Sequence, residues 1–110
     1  MLTNVDLRSK TVCEEVFGPM ENIIPFDDVN VVYDRLNASP YGLQTGVFTA
    51  SIAPAMEAIR RIRTGGVILN ATSTWRTDQM PYGGVKSSGI GREGPRYAIR
   101  DMTDERLIVL

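Results

Sequence analysis

Val29, Val32, Tyr33 and Leu36 recur at i, i+3, i+4 and i+7, the repeat that puts an apolar stripe on one side of a helix. Asp27 and Asp28 stand just before it, and acidic side chains suit the positive start of a helix. Residues 37–42 then read as a turn, broken by Pro40 and Gly42. Gly46-Val47-Phe48-Thr49 predicts a brief buried strand. A second helix is expected after Ser51, a good N-cap, with Pro54 tolerated in the first turn because its missing N–H costs little there. Its apolar face is Ile52, Ala55, Met56, Ile59 and Ile62. Arg60, Arg61 and Arg63 suit the negative end as a solvated terminus, and Gly65 is placed to give the left-handed cap. Residues 66–70 follow as a short apolar run, the mark of a buried strand in an α/β sheet.

The flanks are less regular. Gly18 and Pro19 break residues 12–26, which predicts a first strand, a tight turn and a second strand through Ile23-Ile24-Pro25-Phe26. Residues 71–94 carry glycines at 83, 84, 89, 91 and 94, and an irregular stretch of that length is usually functional or a docking place. Residues 95–102 predict a short helix. Leu107-Ile108-Val109-Leu110 reads as a terminal strand with no polar cap, which needs an edge to pair with. Alternating strands and helices argue for the α/β class, with an open, mostly parallel sheet and flanking helices.

Composition narrows the chemistry. A chain of 110 residues with 43% hydrophobic and 23% charged residues is ordinary globular material rather than a disordered tail. The net charge of −1 gives no global field for nucleic acid or anionic lipid, so neither partner is expected. There is no histidine, which excludes Cys–His and Ser–His catalytic pairs and histidine metal sites within the chain. One cysteine rules out an internal disulfide framework, and a cytoplasmic, reducing compartment is expected. No apolar run is long enough to span a membrane, and residues 1–10 hold no signal-peptide core.

Four segments carry a resemblance. Cys13-Glu14-Glu15-Val16-Phe17-Gly18-Pro19 resembles the Glu-Glu-(Ile/Val)-Phe-Gly-Pro signature of the NAD(P)-dependent aldehyde dehydrogenase superfamily. Pro40-Tyr41-Gly42-Leu43 with Gly46-Val47-Phe48-Thr49, then Gly65-Gly66-Val67-Ile68-Leu69-Asn70, then the stretch from Pro81-Tyr82-Gly83-Gly84 to Gly91-Arg92-Glu93-Gly94 resemble the same superfamily in the same order. Together they run from about residue 11 to the end, and four in register are highly specific for the superfamily, though not for a substrate.

The resemblance implies a C-terminal part of the catalytic domain over residues 1–102 and an oligomerisation strand over 103–110, which would extend a neighbouring subunit's sheet in a homo-oligomer. It implies that the nucleophilic cysteine, the general-base glutamate, the oxyanion asparagine and the cofactor domain lie upstream of these segments, and that the start at Met1 is a truncation. No catalytic residue is therefore expected here, and the 110 residues alone are expected to be inactive. Glu15 would accept hydrogen bonds from the hydroxyls of the nicotinamide ribose of NAD or NADP, a task suited to a carboxylate with two oxygens. Phe17 would pack near the nicotinamide, with plain core packing as the alternative. Tyr82 would line the aldehyde tunnel, with Trp75 and Arg76 in the variable part of the substrate-access loop. Arg76 there suits an anionic aldehyde of semialdehyde, lactaldehyde or phosphonoacetaldehyde type, against the alternative of a solvent-facing side chain.

Two features invite misreading. Cys13 directly precedes the glutamate motif and has no basic neighbour to activate it, so it reads as a small buried residue, not a nucleophile. Gly89-Ile90-Gly91-Arg92-Glu93-Gly94 is a literal G-x-G-x-x-G, but it follows a loop, and the chain ends before the acid that a dinucleotide site needs. A rival reading from another class is a non-catalytic association module working through the apolar terminal strand. A decarboxylating or acyl-CoA-forming relative ranks lowest.

Overall fold

A computed structural model describes all 110 residues. Its centre is a strand–helix–strand unit. Strand β3 (Gln44–Val47) pairs in parallel with β4 (Gly66–Leu69), in the register Gln44–Gly66 to Val47–Leu69. Helix α3 (Ile52–Arg61) connects them, as a parallel pair requires a crossover. Helix α2 (Val29–Ala38) lies alongside, and its N-cap Asp28 accepts a hydrogen bond from the Asn30 amide at 2.9 Å. The two helices and two strands predicted for residues 29–70 are thus present, with ends shifted by one or two residues.

A small core joins these elements. Tyr33, Ala58 and Ile62 are buried, with Leu36, Val47 and Val67 packed against them. Arg61 lies over the Tyr33 ring at 4.8 Å and bonds Asn30 and Asp34 of α2, tying one helix to the other. The expectation that this arginine cluster is simply a solvated terminus fails for Arg61. It is two-thirds covered because its stem seals the edge of the core.

Three further expectations are corrected. Residues Lys10–Cys13 form a short helix, α1, not a strand. The paired strands of the N-terminal arm are instead β1 (Leu2–Thr3) and β2 (Asn22–Ile23), again parallel. Gly65 does not cap α3, which ends at Ile62 in extended backbone. Gly65 is glycine because of crowding: a Cβ there would stand 1.8 Å from the Gly83 carbonyl oxygen. Cys13 is exposed, with its thiol donating to the Leu7 carbonyl at 3.3 Å. Helix α4 (Pro95–Asp101) follows with proline in its first turn. Residues 104–110 are exposed and pair with no strand of this chain.

The surface is unusually open. The accessible area is 8814 Å², whereas a compact monomer of 12.2 kDa exposes about 6,100 Å². The radius of gyration is 17.4 Å, against about 13 Å for a compact domain of this length. On α3 and its C-cap, Ala55, Ala58 and Ile62 face inward, but Ile52, Met56 and Ile59 of the same apolar stripe remain exposed. The hydrophobic pattern therefore describes more burial than this chain supplies to itself.

Candidate functional site

Beyond β4 the chain turns outward at Asn70, whose backbone takes φ 55° and whose side chain accepts from the Thr49 amide at 2.9 Å. Gln44 on β3 holds the departing loop. Its Nε2 donates to the carbonyls of Ser73 at 2.7 Å and Trp75 at 3.3 Å. The Trp75 amide closes a turn onto the Thr72 carbonyl at 3.1 Å. Trp75 and Arg76 are thus carried on a loop pinned from the sheet, and Trp75 stays half exposed.

The loop returns through a turn at Thr77–Met80 and enters an antiparallel bridge between Tyr82 and Glu93. The Glu93 amide donates to the Tyr82 carbonyl at 2.6 Å, and the Tyr82 amide to the Glu93 carbonyl at 3.3 Å. Arg76 folds over this bridge. Its guanidinium lies 4.2 Å from the centre of the Tyr82 ring, and Nη2 stands 3.3 Å from Glu93 Oε2. A cation over a tyrosine face is attracted by the ring's electron density. Arg76 is therefore neither free in solvent nor buried: its side chain is 43% exposed, with several N–H donors still open.

Behind the bridge, Gly83 packs against Gly65. Arg92 Nη1 donates to the carbonyls of Gly84 at 2.9 Å and Gly91 at 2.6 Å. Gly89, Gly91 and Gly94 have φ of 138°, 75° and 112°, a region that side chains disfavour. The literal G-x-G-x-x-G thus shapes the return loop and follows a 3₁₀ turn at Lys86–Ser88 rather than a strand.

Glu15 and Phe17 lie on a separate segment. Tight turns at Val16–Gly18 and Gly18–Met20 present it outward. Phe17 is 94% exposed, so it does not pack in the core of this chain. Glu15 makes no ion pair or side-chain hydrogen bond. Both oxygens of the Glu15 carboxylate are therefore free to accept hydrogen bonds. No hydrogen bond or ion pair links this segment to Arg76, Tyr82 or Trp75.

Glu93 and Gln44 escaped the sequence reading. Nothing in spacing pairs Tyr82 with Glu93 across a loop. The one available signal for Glu93 was its place between glycines whose backbone bends the chain back. A cavity of about 830 Å³ lies elsewhere, between the N-terminal arm and α2, and Val12, Phe26, Val32 and Leu36 are among its lining residues. No cluster of three or more metal-ligating side chains is present, and no helix is long and apolar enough to cross a membrane.

Residues 1–108 match the aldehyde dehydrogenase family. The 3-sulfolactaldehyde dehydrogenase of Priestia megaterium is 52% identical over 110 residues, all of this chain and 23% of that enzyme. Aldehyde dehydrogenase 21 from Physcomitrella patens, solved with its reaction product succinate, superposes with a TM-score of 0.86 at 40% identity, covering 91% of this chain and 21% of that one. The NAD+ complex of the aldehyde dehydrogenase from Bacillus cereus superposes with a TM-score of 0.86 at 37% identity, over 93% and 21% of the two chains. The chain spans between a fifth and a quarter of the length of these relatives. With the signature segments in order, the strand–helix–strand unit in place and the match running almost end to end, this chain belongs to the aldehyde dehydrogenase family.

Proposed function

We propose that these residues form one wall of the active site of an NAD(P)-dependent aldehyde dehydrogenase that oxidises an anionic aldehyde, semialdehyde- or lactaldehyde-like, to a carboxylic acid in the cytoplasm. The observation that carries the substrate class is Arg76, held over the Tyr82 ring with N–H donors to spare. A planar guanidinium can give two parallel hydrogen bonds to a carboxylate or sulfonate. The names of two relatives agree in chemistry: one acts on a sulfonated aldehyde, and another holds a dicarboxylate product.

Each residue has a defined task in this reading. Glu15 accepts from the ribose hydroxyls of NAD or NADP, and Phe17 limits the position of the nicotinamide ring. Bound there, NAD(P)+ supplies the hydride acceptor. Trp75 and Tyr82 line the path of the aldehyde, and Arg76 holds its charged end. The thiolate that attacks the aldehyde comes from residues outside this sequence, because Cys13 is engaged with Leu7 in the N-terminal arm and lies apart from the loop. The 110 residues alone are therefore inactive.

The test replaces the matching segment of the Priestia megaterium enzyme with residues 1–110 and compares sulfoacetaldehyde with neutral propanal. Arg76→Ala should cut kcat/KM for sulfoacetaldehyde by about 30-fold or more, the loss of roughly 2 kcal/mol of charged hydrogen bonding, and should spare propanal. Equal effects on both aldehydes would remove the anion assignment.

A second reading has its own support. The open surface and the unpaired apolar residues Leu107–Leu110 favour a non-catalytic association module, self-pairing as a homo-oligomer. Light scattering of the 110-residue chain should then give a dimer or larger species that Ile108→Lys dissociates. A compact folded monomer would remove this reading.

A further inference from the structure

We infer that Glu93 is a specificity-determining counter-ion, which occupies Arg76 until an anionic aldehyde displaces it. The inference rests on the anionic-substrate reading above and adds a residue with no assigned role in it. The Arg76–Glu93 pair is 3.3 Å long, with one N–H group engaged, and both side chains are well exposed, 43% and 65%. Such a pair is screened by water and breaks readily. The same guanidinium is steadied from below by the Tyr82 ring, which stays in place when the carboxylate leaves.

Glu93 itself is anchored by its backbone. Its amide and carbonyl are both bonded to Tyr82, so the carboxylate is delivered beside Arg76 by the same bridge that places the ring. A sulfonate or carboxylate from substrate and the Glu93 carboxylate compete for one fork of donors. A neutral aldehyde cannot make that exchange and meets an arginine already neutralised. Glu93 therefore lowers non-productive capture of small anions and sets how strongly the head group of the substrate must bind to enter.

Glu93→Gln tests this, because glutamine keeps the size and can still accept from Arg76 without the charge. In the same chimeric enzyme, the ratio of kcat/KM for sulfoacetaldehyde to that for propanal should rise about two- to fivefold, the worth of one exposed pair. The rise should come through KM for sulfoacetaldehyde. Inorganic sulfate should become a correspondingly better inhibitor of the variant. A ratio that stays the same, or kcat falling equally on both aldehydes, would overturn the role of Glu93. If Arg76→Ala abolishes the anion preference while Glu93→Gln leaves it untouched, only this inference fails. If the chimera with Glu93 and Arg76 intact shows no anion preference at all, the substrate reading fails, and the counter-ion role fails with it.

Discussion

Gly65→Ala should damage both the fold and the substrate loop. The added Cβ would stand 1.8 Å from the Gly83 oxygen and 2.9 Å from the Leu43 oxygen, both backbone atoms. Neither can swing aside as a side chain end would. Relief requires the Gly83 strand of the loop to separate from the β3–β4 pair. The hydrogen bonds at stake are Gly65 to Gly42 at 3.0 Å, Gly66 to Leu43 at 3.1 Å and Val85 to Gly42 at 2.9 Å. Losing two of them and forcing the overlap costs about 3 kcal/mol. That is much of what this chain can have, since its open surface leaves about half of the unfolded chain's area still exposed, against about a third for an ordinary small domain. The assay is a urea titration of the 110-residue chain, followed by far-UV circular dichroism and Trp75 fluorescence, at concentrations where scattering detects no association. Gly18→Ala is the internal control. Nothing lies within 4 Å of a Cβ at Gly18, so its effect should stay within about 0.5 kcal/mol. A Gly65→Ala loss below about 1 kcal/mol would refute the close packing of Gly83 on Gly65.

Two smaller predictions follow from the same structure. Ile62→Ala should cost about 2 kcal/mol in the same titration, near the lower end for a buried isoleucine because the core it leaves is small; no measurable loss would mean that α2 and α3 do not pack as described. The Asp6 carboxyl should titrate below the usual aspartate range, chiefly because the Arg8 guanidinium bonds it and secondly because the Arg8 amide does. With the folded value lowered, the stabilising effect is present above the ordinary carboxylate range and lost as pH falls through the lowered value. Carboxyl NMR shifts check it: Arg8→Ala should move the midpoint back up, and an ordinary midpoint in the unsubstituted chain would contradict the contact.

Local pattern carried the centre of the fold well and its edges poorly. The i, i+3, i+4, i+7 repeat of Val29–Leu36 marks a helix with one covered side, and the apolar run at Val67–Leu69 marks a strand covered on both faces, so both elements were plain. The N-terminal arm was not legible in the same way. β1 and β2 pair two residues each across a gap of about twenty positions, and α1 is a single turn, so neither leaves a periodic trace. The role of Gly65 is hidden for a physical reason as well: a glycine after a helix usually relieves backbone strain, but this one relieves crowding from a loop distant in sequence. At the candidate site, Arg76 and Tyr82 could be placed on one loop by resemblance. Their stacking, and the ion pair to Glu93, depend on a backbone bridge that no spacing rule encodes.

The most direct test is the formation of reduced nicotinamide from sulfoacetaldehyde, followed by absorbance, with the 110-residue chain alone and with the chimera that carries it. The account predicts steady turnover by the chimera and none by the chain. Turnover by the chain alone, or a folded chimera that binds NAD(P)+ and still cannot oxidise the aldehyde, would contradict it.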